Sequence, residues 1–96
     1  MELDVVREDR SFKIYSHGEI VGEITYAETR NPKVVEANHT FVSEKLRGQG
    51  VAGKLLDTMV ESLSEEGKLI KAKCSYVVSK FDREPEKYDF INVDKQ

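Results

Sequence analysis

The sequence has few of the features that would mark a secreted or membrane protein. Its 96 residues include one cysteine, Cys74, so no internal disulfide can form. No apolar run approaches the roughly 18 residues that a membrane-spanning helix needs. The first residues carry early acids and lack the apolar stretch of a secretory signal. We therefore predict a cytoplasmic protein with no membrane partner.

Excess positive charge is also absent. Lys and Arg number 15 against 18 Asp and Glu, which gives a formal net charge of -3. This balance disfavours nucleic acid as a partner, because binders of nucleic acid usually carry a basic excess. Hydrophobic residues make up 39% of the chain, an ordinary globular content. The length fits a single domain over residues 1–96.

Alternation of apolar and polar residues predicts three strands in the first half of the chain. They are Phe12–Tyr15, Glu19–Glu28 and Val34–Val42, and the first two form a hairpin. The period of two assigns one inward face of the third strand to four residues: Val35, Ala37, His39 and Phe41.

A helical period then replaces the strand pattern. It predicts one main helix over about Gln49–Glu66, followed by a strand over Lys68–Tyr76. Short tail helices are expected near Ser79–Phe81 and Glu86–Phe90. The order β-β-β-α-β-α indicates an α+β fold, in which one main helix packs on a mixed sheet and the strands that flank it are parallel.

The segment that enters the main helix is suited to an anion. Gly48, Gly50 and Gly53 allow close approach to the backbone. The first N–H groups of the helix lack intrahelical partners, and the helix dipole adds positive character there. Arg47 and Lys54, with Lys45 close by, supply formal positive charge. A pyrophosphate is the predicted guest of this loop.

The glycines also fit other patterns. A Walker loop is excluded because no Gly-Lys-Ser/Thr follows at the required spacing. The pattern G-x-G-x-x-G is met from Gly48 to Gly53, yet the strand beginning at Leu69 lacks the acid of a dinucleotide site. A tight turn whose glycines only permit close helix–sheet packing stays open as the structural alternative.

The string VSEKLRGQGVAGKLL, from Val42 to Leu56, resembles the central acetyl-CoA motif of the GNAT acetyltransferase superfamily. Arg47, Gly50 and Ala52 occupy the fixed places of Arg/Gln-x-x-Gly-x-Gly/Ala. The resemblance implies that backbone amides of this loop hold the pyrophosphate of coenzyme A. It also implies that the end of the preceding strand pairs with the pantetheine arm. The implied cofactor-binding residues are Phe41, Val42, Arg47, Gly48, Gln49, Gly50, Val51, Ala52, Gly53 and Lys54.

The likeness extends to a short GNAT-like subfamily of about this length. It includes Asn38-His39-Thr40, Cys74-Ser75-Tyr76, and a tail with Pro85 and Tyr88. The helical pair that builds much of the acceptor site in full-length GNAT enzymes has no room here. The acceptor is therefore expected to be an amine of unassigned identity.

Four residues are candidates for the chemistry. Cys74 could accept the acetyl group or protonate the departing thiolate, or be a small buried hydrophobe. His39 could act as the base for an amine, or be a hydrogen-bonded core histidine. Tyr88, like Tyr76, could protonate the thiolate, or simply anchor the tail. No metal is expected, because two histidines and one cysteine give no ligand set.

Three functions compete on this basis. The first is an acetyl-CoA-dependent N-acetyltransferase that acts directly or through Cys74. The second is a non-catalytic acetyl-CoA binder. The third is an interaction module that uses a bare sheet face, which an exposed apolar surface would support. A monomer or a weak homodimer is expected.

Overall fold

The computed structural model of the protein describes residues 4–96 and confirms the α+β fold with a mixed sheet. The strands are β1 (Val5–Glu8), β2 (Ser11–Ser16), β3 (Glu19–Glu28), β4 (Val34–Val42) and β5 (Leu69–Ala72). The helices are α1 (Val51–Glu65), α2 (Ser75–Arg83) and α3 (Pro85–Tyr88), with short 3₁₀ turns at Glu44–Leu46 and Val93–Lys95.

The five strands lie in the order β1-β2-β3-β4-β5. Neighbours are antiparallel except β4 and β5, which are parallel and pair Val35 with Ile70. The parallel pair follows from the connection, because α1 carries the chain back across the sheet between these two strands. At the edge of β5 away from β4, Asn92 forms a parallel β-bridge with Ile70 and holds the end of the chain against the sheet.

The core lies between α1 and the inner face of the sheet. Leu55, Met59 and Leu63 are fully buried along one stripe of the helix, as its apolar period predicts. Gly22 in β3 allows the helix to come close, because a Cβ at this position would lie 3.2 Å from Leu55 Cδ1. The glycine that helix–sheet packing requires is therefore on a strand, outside the predicted anion loop.

The sequence missed one strand at the start of the chain. β1 has only four residues and begins with two adjacent valines, so it shows no clear alternation. Pairing with β2 and a side-chain anchor hold it in place. Arg7 pairs with Glu66 at the end of α1, donates to Tyr26 Oη and lies over the ring of Phe12.

The predicted strand over Lys68–Tyr76 is wrong at both ends, chiefly at its C-terminal end. β5 stops at Ala72, because the N–H groups of Lys73 and Cys74 both donate to the carbonyl of Ala37 at 2.9 Å. This shared acceptor turns the chain away from β4 and into α2. The tail helices are present where helices were expected. The first, Ser75–Arg83, is longer than predicted, and the second, Pro85–Tyr88, begins one residue earlier and ends two residues earlier.

A bulge corrects the predicted face of β4. Thr25 pairs with His39 and Tyr26 pairs with Ala37, so Asn38 is an extra residue without a partner in β3. Such a bulge inverts the alternation of the side chains that follow it. Val35 and Ala37 are buried as predicted, whereas His39 and Phe41 are exposed. The assignment of His39 and Phe41 to the inward face is therefore wrong.

The outer face of the sheet carries a polar network. Lys13 lies between the carboxylates of Glu8 and Glu23, at 3.3 and 3.7 Å, and Tyr15 Oη donates to Glu8. α2 and α3 pack beside α1 on the inner face, where Tyr88 reaches Asp57. None of the helices within residues 4–96 is long and apolar enough to cross a membrane.

Candidate functional site

The loop between β4 and α1 is fixed by one apolar residue and by two glycines with left-handed backbone angles. Leu46 is buried and anchors the 3₁₀ turn, whose first residues are capped by Ser43. Gly48 and Gly50 have φ angles of 82° and 73°, in the left-handed region that L side chains avoid. A Cβ at either glycine would meet no atom within 4 Å. The backbone conformation, rather than close packing, therefore accounts for both glycines.

The start of α1 presents unpaired backbone donors. Gly50 is the N-cap, and its carbonyl accepts the first helical bond from the N–H of Lys54 at 3.1 Å. No side chain caps this end among the described residues. The N–H groups of the first turn, Val51 to Gly53, thus have no intrahelical acceptor, and the positive end of the helix dipole lies at the same place. This arrangement suits a phosphate.

These donors border a cavity of about 260 Å³. Its walls are the end of β4, the glycine loop, the first turn of α1 and one tyrosine from α2. The lining residues are Val42, Leu46, Arg47, Gly48, Gly50, Val51, Ala52, Gly53 and Tyr76. Seven of the ten residues predicted to bind the cofactor are therefore brought together here. Phe41 and Gln49 are exposed and lie outside the lining, as does the exposed Lys54 at the helix start.

An open strand edge leads into the cavity. Pairing between β4 and β5 ends at Ala37 and Ala72, while β4 continues to Val42 beside β3. The N–H of Ser43 donates to Val21 in β3. Because backbone N–H and C=O groups alternate in direction along a strand, those of Val42 and Thr40 point away from β3, to the edge where β5 no longer pairs. An extended ligand could therefore hydrogen-bond along this edge.

Cys74 lies at this opening and not on a strand. It is the N-cap of α2 and is partly exposed. Its thiol donates to Thr40 Oγ1 at 3.3 Å. The bulge at Asn38 places Thr40 on the same side as Cys74 and turns His39 to the opposite face. The structure therefore does not bring Cys74 and His39 together.

Of the two candidate tyrosines, Tyr76 lines the cavity. It lies on the first turn of α2, and a Cβ at Gly53 would be 3.7 Å from its hydroxyl. Burial, with a smaller contribution from the charge of Asp57, raises the pKa of Tyr76. Its hydroxyl therefore stays protonated at neutral pH and can donate.

Tyr88 has a different environment. It is buried, and its hydroxyl donates to Asp57 Oδ1 at 2.7 Å. Burial first, and then this hydrogen bond, raises the pKa of Tyr88. It ties α3 to α1 and does not line the cavity at the glycine loop. This placement matches the anchoring role that was its alternative, and its part in the chemistry stays a prediction.

Sequence reasoning overlooked Leu46 and Thr40 as parts of the site. Leu46 carried a usable signal, since it is the one apolar residue in the polar stretch from Ser43 to Gln49. Thr40 belongs to the Asn38-His39-Thr40 match, but the alternation of β4 could not show its direction, because a bulge decides which way it points. In the part of the chain that the structure describes, no cluster of three or more His, Cys, Asp or Glu could hold a metal ion.

Comparison with known proteins identifies relatives of this arrangement. The family model of the GCN5-related N-acetyltransferases matches residues 11–91. The solution structure of a GCN5-like protein from Staphylococcus aureus, assigned as an N-acetyltransferase, is 30% identical, with a TM-score of 0.77 over 95% of this chain and 88% of that one. No curated protein sequence matches this chain.

Two more distant structures share the fold. Diaminobutyrate acetyltransferase from Paenibacillus lautus, solved with 2,4-diaminobutyric acid and coenzyme A, is 22% identical with a TM-score of 0.60, over 84% of this chain and 50% of that one. N-acetylglutamate synthase from Neisseria gonorrhoeae, solved with coenzyme A and N-acetyl-glutamate, is 15% identical with a TM-score of 0.64. The match with the synthase covers 77% of this chain and 18% of the synthase chain.

Proposed function

Because this chain belongs to the GCN5-related N-acetyltransferase family, we propose that it binds acetyl-CoA in the cavity at the glycine loop and transfers the acetyl group to an amine. The observation that carries the proposal is the meeting of two sets of free backbone groups at one cavity. The first turn of α1 offers N–H groups to a pyrophosphate, and the edge of β4 offers Thr40 and Val42 to the pantetheine arm. Arg47, which lines the same cavity, adds positive charge.

The chemistry follows from what lies along the open edge. In the proposed reaction the amine nitrogen bonds to the thioester carbonyl carbon, the C–S bond breaks, and a proton passes from the amine to the departing thiolate. A backbone N–H of β4 directed into the opening would stabilise the oxyanion. The neutral hydroxyl of Tyr76, which lines this cavity, would relay the proton of the amine: it gives its own proton to the thiolate and takes one from the amine in return.

Cys74 offers a second route for the same transfer. Its thiolate would attack the carbonyl, release coenzyme A and pass the acetyl group to the amine in a second step. The contact with Thr40 on the open edge favours this position for an acetyl carrier. We propose direct transfer as the main route, because it needs no loss of the thiol proton.

A non-catalytic acetyl-CoA binder is the alternative function. The position of His39 favours it, because the bulge turns this imidazole to the outer face of the sheet, away from the cavity. The third candidate, an interaction module that uses a bare sheet face, is less supported. The network of Glu8, Lys13 and Glu23 makes much of that face polar.

Two measurements test the proposal in sequence. In an NMR titration, acetyl-CoA should shift the backbone amides of Gly48 to Gly53 and those of Thr40 and Val42 most strongly. Release of free coenzyme A in the presence of a panel of amines should then exceed release without them. Binding without amine-dependent release would establish the binder, and shifts confined to residues remote from the loop would contradict both functions.

A further inference from the structure

A second groove lies on the other half of α1, beyond the cavity at its first turn. Its volume is about 440 Å³, larger than that of the acetyl-CoA cavity. One wall is the outward stripe of α1 from Asp57 to Glu65, and the other is α3 with the turn that follows it. The proposed acetyl transfer uses none of these residues.

The floor of the groove is apolar and one wall is an uncovered aromatic ring. Val60 and Tyr88 form the floor and are 6% and 1% exposed. Phe90 is 57% exposed, the highest value among the large hydrophobic residues that face solvent. A ligand with an apolar side chain would remove this ring from water, which favours association.

The rim is acidic. Glu61 and Glu65 are exposed one helical turn apart, and neither has an ion pair or hydrogen bond through its side chain within residues 4–96. Lys87, the basic residue in the lining of the groove, is already used, because it pairs with Asp57 at 3.0 Å and lies over the ring of Tyr88. The groove therefore presents uncompensated negative charge beside an apolar surface.

We propose that this groove docks a basic segment of another protein. In this arrangement an apolar side chain packs against Phe90 and Val60, and Lys or Arg residues lie beside Glu61 and Glu65. Charge decides the occupant. Nucleic acid and other polyanions are repelled by the rim, and a second copy of this chain carries the same net charge of -3. The docking does not depend on acetyl transfer and is tested without acetyl-CoA.

The test is an NMR titration of the whole labelled chain with a short synthetic peptide that has a central Leu flanked by Arg and Lys. Amide shifts at Val60, Glu61 and Phe90 should saturate at or below about 1 mM peptide. Added salt should weaken the binding, because the charge pairs at the rim are exposed. The same peptide with Ser in place of Leu should bind more weakly.

Variants locate the binding. Phe90→Ser, and separately Glu61→Gln with Glu65→Gln, should each weaken binding by about fivefold. The matched control is Glu19→Gln with Asp82→Asn, which changes the net charge equally at exposed sites outside the groove. No saturable shift near 1 mM, an equal loss in the control, or self-association through the groove without peptide would each overturn the proposal.

Discussion

At the scale of single residues, a substitution at Gly50 tests two effects, one on folding stability and one on acetyl-CoA binding. Gly50→Ala should lower the free energy of unfolding by roughly 1–2 kcal/mol, because alanine in the left-handed region is strained. It should also weaken acetyl-CoA binding by about tenfold or more, since a shifted N-cap misdirects charge-assisted hydrogen bonds of the first turn. Thermal unfolding and calorimetry measure the two effects.

The control is Gly18→Ala in the hairpin turn between β2 and β3. Gly18 has a φ angle of 79°, and a Cβ there meets no atom within 4 Å, so the strain is comparable to that at Gly50. Gly18→Ala should therefore lose as much stability as Gly50→Ala, while its acetyl-CoA affinity stays unchanged. Equal affinity in both variants would show that the loop glycines serve only the turn.

Cys74 reports on the open edge of β4. Its thiol contacts Thr40, whose backbone groups face the proposed pantetheine path. Saturating acetyl-CoA should therefore slow alkylation of Cys74 by iodoacetamide at least several-fold. Cys74→Ser should keep acetyl-CoA affinity, because the pyrophosphate donors are on α1. An alkylation rate unaffected by acetyl-CoA would place the thiol away from the thioester.

The two tyrosines should differ in what their removal changes. Tyr76→Phe should lower kcat by about a hundredfold with little change in KM, because it removes the proton donor in the cavity. Tyr88→Phe should leave kcat unchanged and cost about 0.5–1.5 kcal/mol of stability, because it removes one part-buried hydrogen bond while Asp57 keeps its ion pair with Lys87. Steady-state kinetics and chemical denaturation distinguish them, and a kcat loss confined to Tyr88→Phe would reverse the assignment.

At the scale of elements, β1 is anchored by a pH-dependent ion pair. The hydrogen bond from Arg7 lowers the pKa of Glu66 below its ordinary value near 4.3. The pair therefore stabilises the protein above that pH and loses its contribution as pH falls through the lower, folded-state pKa. Because both side chains are about a third exposed, the expected stabilisation is only about 0.2–1 kcal/mol.

The measurement is denaturant unfolding of the native chain and Glu66→Gln at several pH values. The native chain should be the more stable at neutral pH, and the difference should shrink below about pH 4.3. Glu65→Gln is the neighbouring control and should show no such dependence. A difference between the native chain and Glu66→Gln that stays constant with pH would show that Arg7 holds β1 through its contacts with Phe12 and Tyr26 alone.

The elements could largely be predicted because local patterns determine them. The glycine loop and α1 were located within two residues, since the period of three to four and the unpaired helix start are properties of the segment itself. β1 could not be predicted, because its stability comes from pairing with β2 and from Arg7 reaching across to α1. The orientation of His39 depended on the bulge at Asn38, which arises from a register with β3 that no local pattern encodes.

At the scale of the whole molecule, the polar outer face bears on assembly. A sheet face without helices usually drives association when it is apolar. Here Lys13 bridges two carboxylates and Tyr15 caps one of them, so much of the face is hydrogen-bonded within the chain. We expect a monomer in light scattering at micromolar concentration, although Val6 and Phe41 remain exposed. Lys13→Leu should produce dimers, and a stable dimer of the unaltered chain would contradict this account.

The bulge at Asn38 determines which side of β4 each later residue faces. Up to Ala37 the inward side chains of the strand are buried in the core, and beyond it Thr40 faces the proposed ligand path. A substitution at the exposed Asn38 alters one side-chain contact, whereas a strand in which Asn38 paired with Thr25, without the bulge, would exchange the two sides of the residues that follow. His39 would then face the opening and Thr40 would leave Cys74. The unpaired Asn38 thus determines which side of β4 faces the proposed site once the strand has left the core.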